Sequence, residues 1–415
     1  MTNNSSCKIV PAAQSLQAMK RGMVISMEIT MELRKYVAPE IISGTDARLM
    51  VGRYLSHFAA RKPFLVTDQN LRTMPWFLDT LKEISKYVTE YIIYDNVTSN
   101  PREYEVMEGA KVFLENKCDV IIAVGGGSPI DCAKGISIVS TNGGEILDYE
   151  GVDEINLPGP PLICIPTTSG ASADVSQFAI IRDTPNFVKK AIISKKVVPD
   201  LALIDPVPLM TMDPYLTACT GMDALTHAIE AYVSNANSHL TNVHALEAIR
   251  LINSTIQAAI LPQRSLYTMY QMMLGSLQAG LAFSNASLGA VHAMAHSLGG
   301  LLDLPHGECN SLLLEHVIAA NYDSACDRYA MIAKYMGIDT RDLSSGHIKD
   351  TLLSHICNLR RSLNIPDFAY VLDYNEELLD KLSDGALSDP CLITNPKLLT
   401  KEEVKQIYGE VLRKK

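Results

Sequence analysis

The sequence predicts an α/β half followed by an all-α half, and three observations carry that prediction. Apolar strand-like runs alternate with helical periodicity from about residue 27 to 210, the pattern of a mostly parallel sheet with helices between its strands. After Pro214 the strand signal stops and 3.6-residue periodicity takes over. The chain has 415 residues, a length at which two domains are expected.

Taken in order, residues 46–60 read as a helix after Gly44, "KPFLVTD" (62–68) as a buried strand, 75–86 as a helix and "VTEYIIYD" (88–95) as a strand. Residues 103–116 are helical, and "CDVIIAVGGG" (118–127) is an apolar strand running into glycines. A helix follows over 129–140, then the strand "PLICIPTT" (161–168), the runs "FAIIRD" and "KKAIIS", and "DLALIDP" (200–206). Helices are expected over 216–234, 239–261, 266–283, 286–298, 307–321, 323–336, 346–363, 376–387 and 400–412. The chain therefore divides into an N-terminal extension (1–26), an α/β domain (27–212) and a helical domain (213–415). In the extension Ile9, Ala12, Ala13, Leu16 and Met19 recur at helical spacing, but the segment reads as a flexible tail. It is no secretory signal, since Lys20 and Arg21 follow its weakly apolar part.

Composition narrows the function. A net charge of −10 argues against nucleic acid and anionic membranes as partners. No stretch approaches the roughly 20 apolar residues of a membrane span. The nine cysteines are scattered and form no CxxC, which reads as reduced thiols in a cytoplasmic protein.

"VIIAVGGGSPIDCAK" is a strand, a glycine-rich turn and a helix start. Gly125, Gly126 and Gly127 permit close backbone approach, and the free N–H groups of the helix start can hold a phosphate. A purely structural turn is the alternative, for neither GxGxxG nor the GK[ST] of a Walker loop is present. Asp68 ends a strand, where a carboxylate can accept from a ribose 2′-OH; capping the next helix is an equally simple role. "PTTSG" (166–170) places hydroxyls at another strand end, the position where open α/β sheets bind ligands.

The helical half holds the second constellation. Asp223 and His227 lie four apart in "GMDALTHAIEAYVS", and His292 and His296 repeat the spacing in "VHAMAHSLGGLLDLPHGE", followed by His306. Each pair shares one helix face among apolar neighbours, so the carboxylate and imidazoles need partners. Three imidazoles and a carboxylate suit Fe²⁺ or Zn²⁺, with an open position for a substrate oxygen. The residues alone do not separate four ligands from five. His239, His244 and His316 read as surface or packing residues.

These motifs, with "IPTTSG", "LIDP", "ALEAIRLI", "LPHGECNSLLLEHV" and "DPCLITNPK" in the same order, resemble the iron-containing (group III) alcohol dehydrogenases from about Tyr36 onward. The resemblance implies a Rossmann-like nucleotide-binding domain and a helical domain with the metal between them, the dehydroquinate synthase-like architecture. It implies Asp223, His227, His292 and His306 as metal ligands, with His296 beside substrate and nicotinamide; an imidazole placed there suits a relay of the alcohol proton. It places the cofactor on Asp68, Gly126, Gly127, Ser128, Asp131, Thr167, Thr168 and Lys189, with Lys190 competing for the last position. The acid at 68 implies NAD over NADP. The activity implied is hydride transfer between a small primary alcohol or diol, or its aldehyde, and NAD, in a homodimer or larger homo-oligomer. Rivals are a zinc-dependent polyol dehydrogenase, a dehydroquinate-synthase-like lyase, and a non-catalytic homologue. Departures from the family pattern are Ala171 for Thr, Asp174 for Glu, and Ser297 for Pro.

Overall fold

The computed structural model describes residues 35–186, 188–372 and 374–414; the expected N-terminal extension lies outside them. The first half contains β1 (Glu40–Ser43), α1 (Val51–His57), β2 (Pro63–Val66), α2 (Pro75–Ile84), β3 (Ile92–Tyr94), α3 (Glu103–Glu115), β4 (Val120–Gly125) and α4 (Gly127–Asn142). It continues with β5 (Gly151–Val152), β6 (Leu162–Pro166), β7 (Phe178–Asp183), β8 (Val188–Ile193) and β9 (Leu201–Ile204). Six strands form an all-parallel sheet in the order β1-β9-β6-β4-β2-β3. Its strands are apolar on both faces because both are covered. Phe64, Val66, Ile121 and Ala123 pack with Val106, Phe113 and Ile136 of α3 and α4. Leu65, Val120, Ile122 and Val124 pack with Leu55, Phe77 and Ile84 of α1 and α2.

The strand order places the cofactor crevice. β3 lies on one side of β2 and β4 on the other, and the helices that follow β2 and β4 cover opposite faces. The carboxyl ends of β2 and β4 therefore flank a topological switch point, where open sheets bind ligands. Asp68 thus sits beside the glycine turn although it precedes it in sequence.

Two expectations need correction in this half. "FAIIRD" and "KKAIIS" do not join the main sheet; they are the antiparallel hairpin β7–β8, which pairs with β5. Lys134 of α4 ties down the start of β7, its buried ammonium donating to the carbonyls of Ser176 (2.9 Å) and Phe178 (2.7 Å). β1 was not among the expected strands: it is four residues long with exposed ends, too short to show alternation.

The second half contains α5 (Pro214–Val233), α6 (His239–Ala259), α7 (Leu266–Ala286), α8 (Ala290–Leu302), α9 (His306–Asn321), α10 (Cys326–Tyr335) and α11 (Ser345–Ser362). β10 (Ala369–Val371), α12 (Glu376–Ser388), α13 (Lys401–Val411) and β11 (Leu412–Lys414) follow. β10 and β11 pair in parallel, which corrects the expectation that strands end at Pro214; three residues each leave no period to detect. The expected helix over 286–298 is displaced. Ser287 turns left-handed (φ 61°) and α8 starts only at Ala290, running on to Leu302.

Candidate metal and cofactor site

Helix α5 carries Asp223 and His227 on one face, α8 brings His292 and His296, and His306 opens α9. The Asp223 carboxylate is the point of convergence. Its Oδ1 lies 3.7 Å from Nε2 of His292, 3.8 Å from Nε2 of His306 and 3.9 Å from Nε2 of His227. Ligands about 2.1 Å from a tetrahedral ion stand roughly 3.4 Å apart; Asp223, His227 and His292 offer ligand atoms within 4.8 Å of one another, and His306 approaches the set at Asp223. Asp223, His227 and His292 are buried, and a carboxylate with three imidazole nitrogens is the donor set of a first-row divalent ion. The residues present fit such an ion. Nδ1 of His227 and of His306 have no hydrogen-bond partner.

Burial and neighbours set the protonation of this cluster. Burial pushes His227 down to about 3 and His306 well below its usual range, so both offer free lone pairs at neutral pH. Burial also disfavours charge on Asp223, but the imidazoles of His227, His306 and His292 outweigh it and hold the carboxyl far below its usual range. His292 moves the other way. Burial opposes its charge, yet the Glu230 and Asp223 carboxylates raise it to about 9.

The groups behind the ligands were not singled out from sequence. Glu230 Oε2 meets His292 Nδ1 at 2.6 Å. Asp389 Oδ2 meets His296 Nδ1 at 2.8 Å, and its Oδ1 accepts the Cys391 N–H. Asn310, one turn after His306, donates to Asp223 Oδ1 at 2.6 Å. Helical spacing was the available signal for Glu230 and Asn310, seven residues after Asp223 and four after His306. Asp389 reaches His296 from 93 positions away, and no local pattern announces that.

One cavity of about 1170 Å³ runs from Asp68 to His306, and every expected site residue lines it. At one end Asp68 accepts the N–H groups of Asn70 (2.9 Å) and Leu71 (3.3 Å) through Oδ1. The capping role is therefore real and coexists with a place on the cavity wall. Burial raises its carboxyl above the usual range. Gly126 and Gly127 form the start of α4; a Cβ on Gly127 would stand 2.8 Å from Ala171 Cβ, and one on Gly126 3.1 Å from Thr168 Cγ2. Side chains there would close the cradle that Thr167, Thr168 and Ser128 also line. Asp131, one turn into α4, is pushed up to about 6 by burial. Consecutive strand residues face opposite ways, which separates the two lysines. Lys190 pairs with Glu150 at 2.8 Å, while Lys189 lines the cavity, its ammonium lowered by burial.

Comparison with known proteins finds matches to both halves of the chain. The family description "Iron-containing alcohol dehydrogenase" matches residues 38–206, and that of the C-terminal part of the Fe-containing alcohol dehydrogenase family matches 217–412. The 1,3-propanediol dehydrogenase of Citrobacter freundii is 36% identical over 90% of this chain and 98% of its own length. The chain belongs to the iron-containing alcohol dehydrogenase family.

Other members of the family show the same extent of likeness. Alcohol dehydrogenase 4 of Saccharomyces cerevisiae is 37% identical over 89% of this chain and 96% of its own. The solved alcohol dehydrogenase from Oenococcus oeni superposes with a TM-score of 0.87 at 32% identity, covering 91% of this chain and all of its own. Membership makes the chain an enzyme of the alcohol dehydrogenase type, and the expected fold, a Rossmann-like sheet followed by a helical part, is the observed one. Two of the chain's departures from the family pattern have local accounts. Ala171 leaves its methyl facing Gly127, and Ser297 donates to the Leu382 carbonyl at 2.9 Å. His244 and His316 stand outside the cavity, on Gln278 and Glu315, and His239 opens α6. Among the described residues no helix is long and apolar enough to cross a membrane.

Proposed function

We propose that the chain interconverts a small primary alcohol or diol and its aldehyde with NAD, using iron held by Asp223, His227, His292 and His306. The observation that carries this reading is the convergence of three Nε2 atoms within 3.7–3.9 Å of one Asp223 oxygen, in the same cavity as the glycine turn and Asp68. When bound, iron supplies Lewis acidity toward a substrate oxygen and the nicotinamide supplies hydride exchange. The chain supplies the rest. The N–H groups at the start of α4 receive a diphosphate, Asp68 receives ribose hydroxyls and disfavours a 2′-phosphate, and Lys189 adds positive charge along the dinucleotide. His296 exchanges the alcohol proton at Nε2, since its Nδ1 is tied to Asp389. Phe283, stacked on His227 with centroids 4.3 Å apart, and Leu288 line the metal end with apolar surface suited to a short carbon chain.

In this reading residues 27–212 act as the dinucleotide domain and 213–415 as the metal domain, with the cavity drawing on both. The chain works as a cytoplasmic homo-oligomer. The buried free cysteines support the compartment, and the outermost strand β1, paired on one side only among the described residues, offers an edge for association. Purified protein loaded anaerobically with Fe²⁺ is expected to reduce NAD with 1-butanol, 1,2-propanediol or 1,3-propanediol, followed by NADH absorbance. Activity with Zn²⁺ alone and chiefly on glycerol would favour a zinc polyol dehydrogenase. No turnover with any alcohol or aldehyde under either metal would refute the proposal.

A further inference from the structure

Glu230 belongs to neither the ligand set nor the cofactor cradle, yet it turns both carboxylate oxygens toward the metal-binding helix. It stands on α5, on the face that carries Asp223 and His227, and its side chain is 4% exposed. Its Oε1 accepts the backbone N–H of Val291 at 2.6 Å, and its Oε2 meets Nδ1 of His292 at 2.6 Å. The N-cap of α8 is Gly289, which has no side chain to satisfy the first turn. That duty falls to Glu230 and to Asn395, whose Oδ1 accepts the Ala290 N–H at 3.1 Å. A Cβ at position 289 would stand 2.9 Å from Glu230 Oε1, so glycine there leaves the carboxylate its room.

We infer that Glu230 is a positioning residue of the metal centre: one carboxylate fixes α8 against α5 and holds the His292 ring with Nε2 facing Asp223. The inference rests on the four-ligand reading above. Two donors face this side chain, the Val291 N–H and the His292 Nδ1–H. A carboxylate accepts from both; a carboxamide accepts from one and sets its own N–H against the other. An imidazole that donates from Nδ1 keeps the Nε2 lone pair for an ion, and a carboxylate behind it raises its basicity as a ligand. The positive end of α8 favours the anion at the same place.

The test is the Zn²⁺ dissociation constant, measured by chelator competition on the full chain, for wild type, E230Q and H227A. E230Q is expected to bind about 10- to 100-fold more weakly. Its NAD affinity, read from the single tryptophan, Trp76, on the cavity wall, is expected to stay unchanged. A purely structural role would lower thermal stability and leave the metal constant alone. E230Q binding as tightly as wild type, while H227A loses the ion, would overturn the Glu230 inference only. H227A binding as tightly as wild type would overturn the four-ligand reading and this inference with it. Where E230Q fails to fold, ¹⁵N-histidine spectra of Zn²⁺-loaded wild type decide. His292 bound through Nε2 with a hydrogen-bonded Nδ1–H is expected, and binding through Nδ1 would overturn the inference.

Discussion

Metal uptake should depend on pH through one histidine, and the structure says which. His227, at about 3, and His306, well below its usual range, are already neutral throughout the physiological range, and Asp223 is already ionised. His292 alone is raised, to about 9, by the Glu230 and Asp223 carboxylates working against burial. An ion can bind its Nε2 only after that proton leaves. Below about 9 each pH unit therefore costs tenfold in apparent affinity, about 1.4 kcal/mol. Between pH 8 and pH 6 the apparent Zn²⁺ affinity should fall roughly 100-fold, and each ion bound should release one proton. Chelator competition across that range, with calorimetry in buffers of different ionisation enthalpy, reads both quantities. A flat profile would mean that His292 is neutral without the ion; a slope of two or three would mean that His227 or His306 titrates as well. The sign for ion-free stability is opposite. A group whose folded pKa is raised stabilises the fold below its unfolded value of about 6.5 and loses that contribution as pH rises through about 9. The ion-free protein should thus lose stability between those limits while its metal affinity grows.

Asp68→Gly removes the carboxylate expected to disfavour a 2′-phosphate; the ratio of NADP to NAD turnover should rise, and an unchanged ratio would remove Asp68 from specificity. The same variant loses the two hydrogen bonds from the Asn70 and Leu71 N–H groups and should be less stable in urea by roughly a few tenths of a kcal/mol. Gly127→Val places bulk where even a Cβ would stand 2.8 Å from Ala171, so the KM for NAD should rise at least tenfold with Zn²⁺ content unchanged; an unaltered KM would show that the cofactor does not approach this turn. Deleting residues 1–25 should leave kcat and KM unchanged, because every proposed site residue lies between Asp68 and His306. A collapse of specific activity would assign the segment to the catalytic body.

What the sequence disclosed and what it hid divide along a physical line. Asp223 with His227, and His292 with His296, could be read because helical geometry puts residues four apart on one face, where polar groups among apolar neighbours demand a partner. The glycine turn could be read because strand, turn and helix start are contiguous. Asp68 lies upstream of the glycines, whereas the usual dinucleotide fingerprint has its acid downstream of them; with β4 beside β2, the acid reaches the same crevice from the other direction. The parallel pair β10–β11 and the contact of Asp389 with His296 join positions 43 and 93 apart, and no periodicity records pairings of that kind. The bundle closes on the metal set through such long-range contacts. Glu230 shows how the two kinds of information meet. Its position on the Asp223 face is written in the helix repeat, but its task is set by His292, 62 residues away, and by a helix start that glycine leaves uncapped. Local pattern fixes which side chains enter the site, and distant carboxylates, Glu230 for His292 and Asp389 for His296, fix which nitrogen those imidazoles offer. An enzyme with all four ligands and a carboxamide in place of the Glu230 carboxylate should therefore fold, keep its cofactor and hold its ion about 10- to 100-fold more weakly.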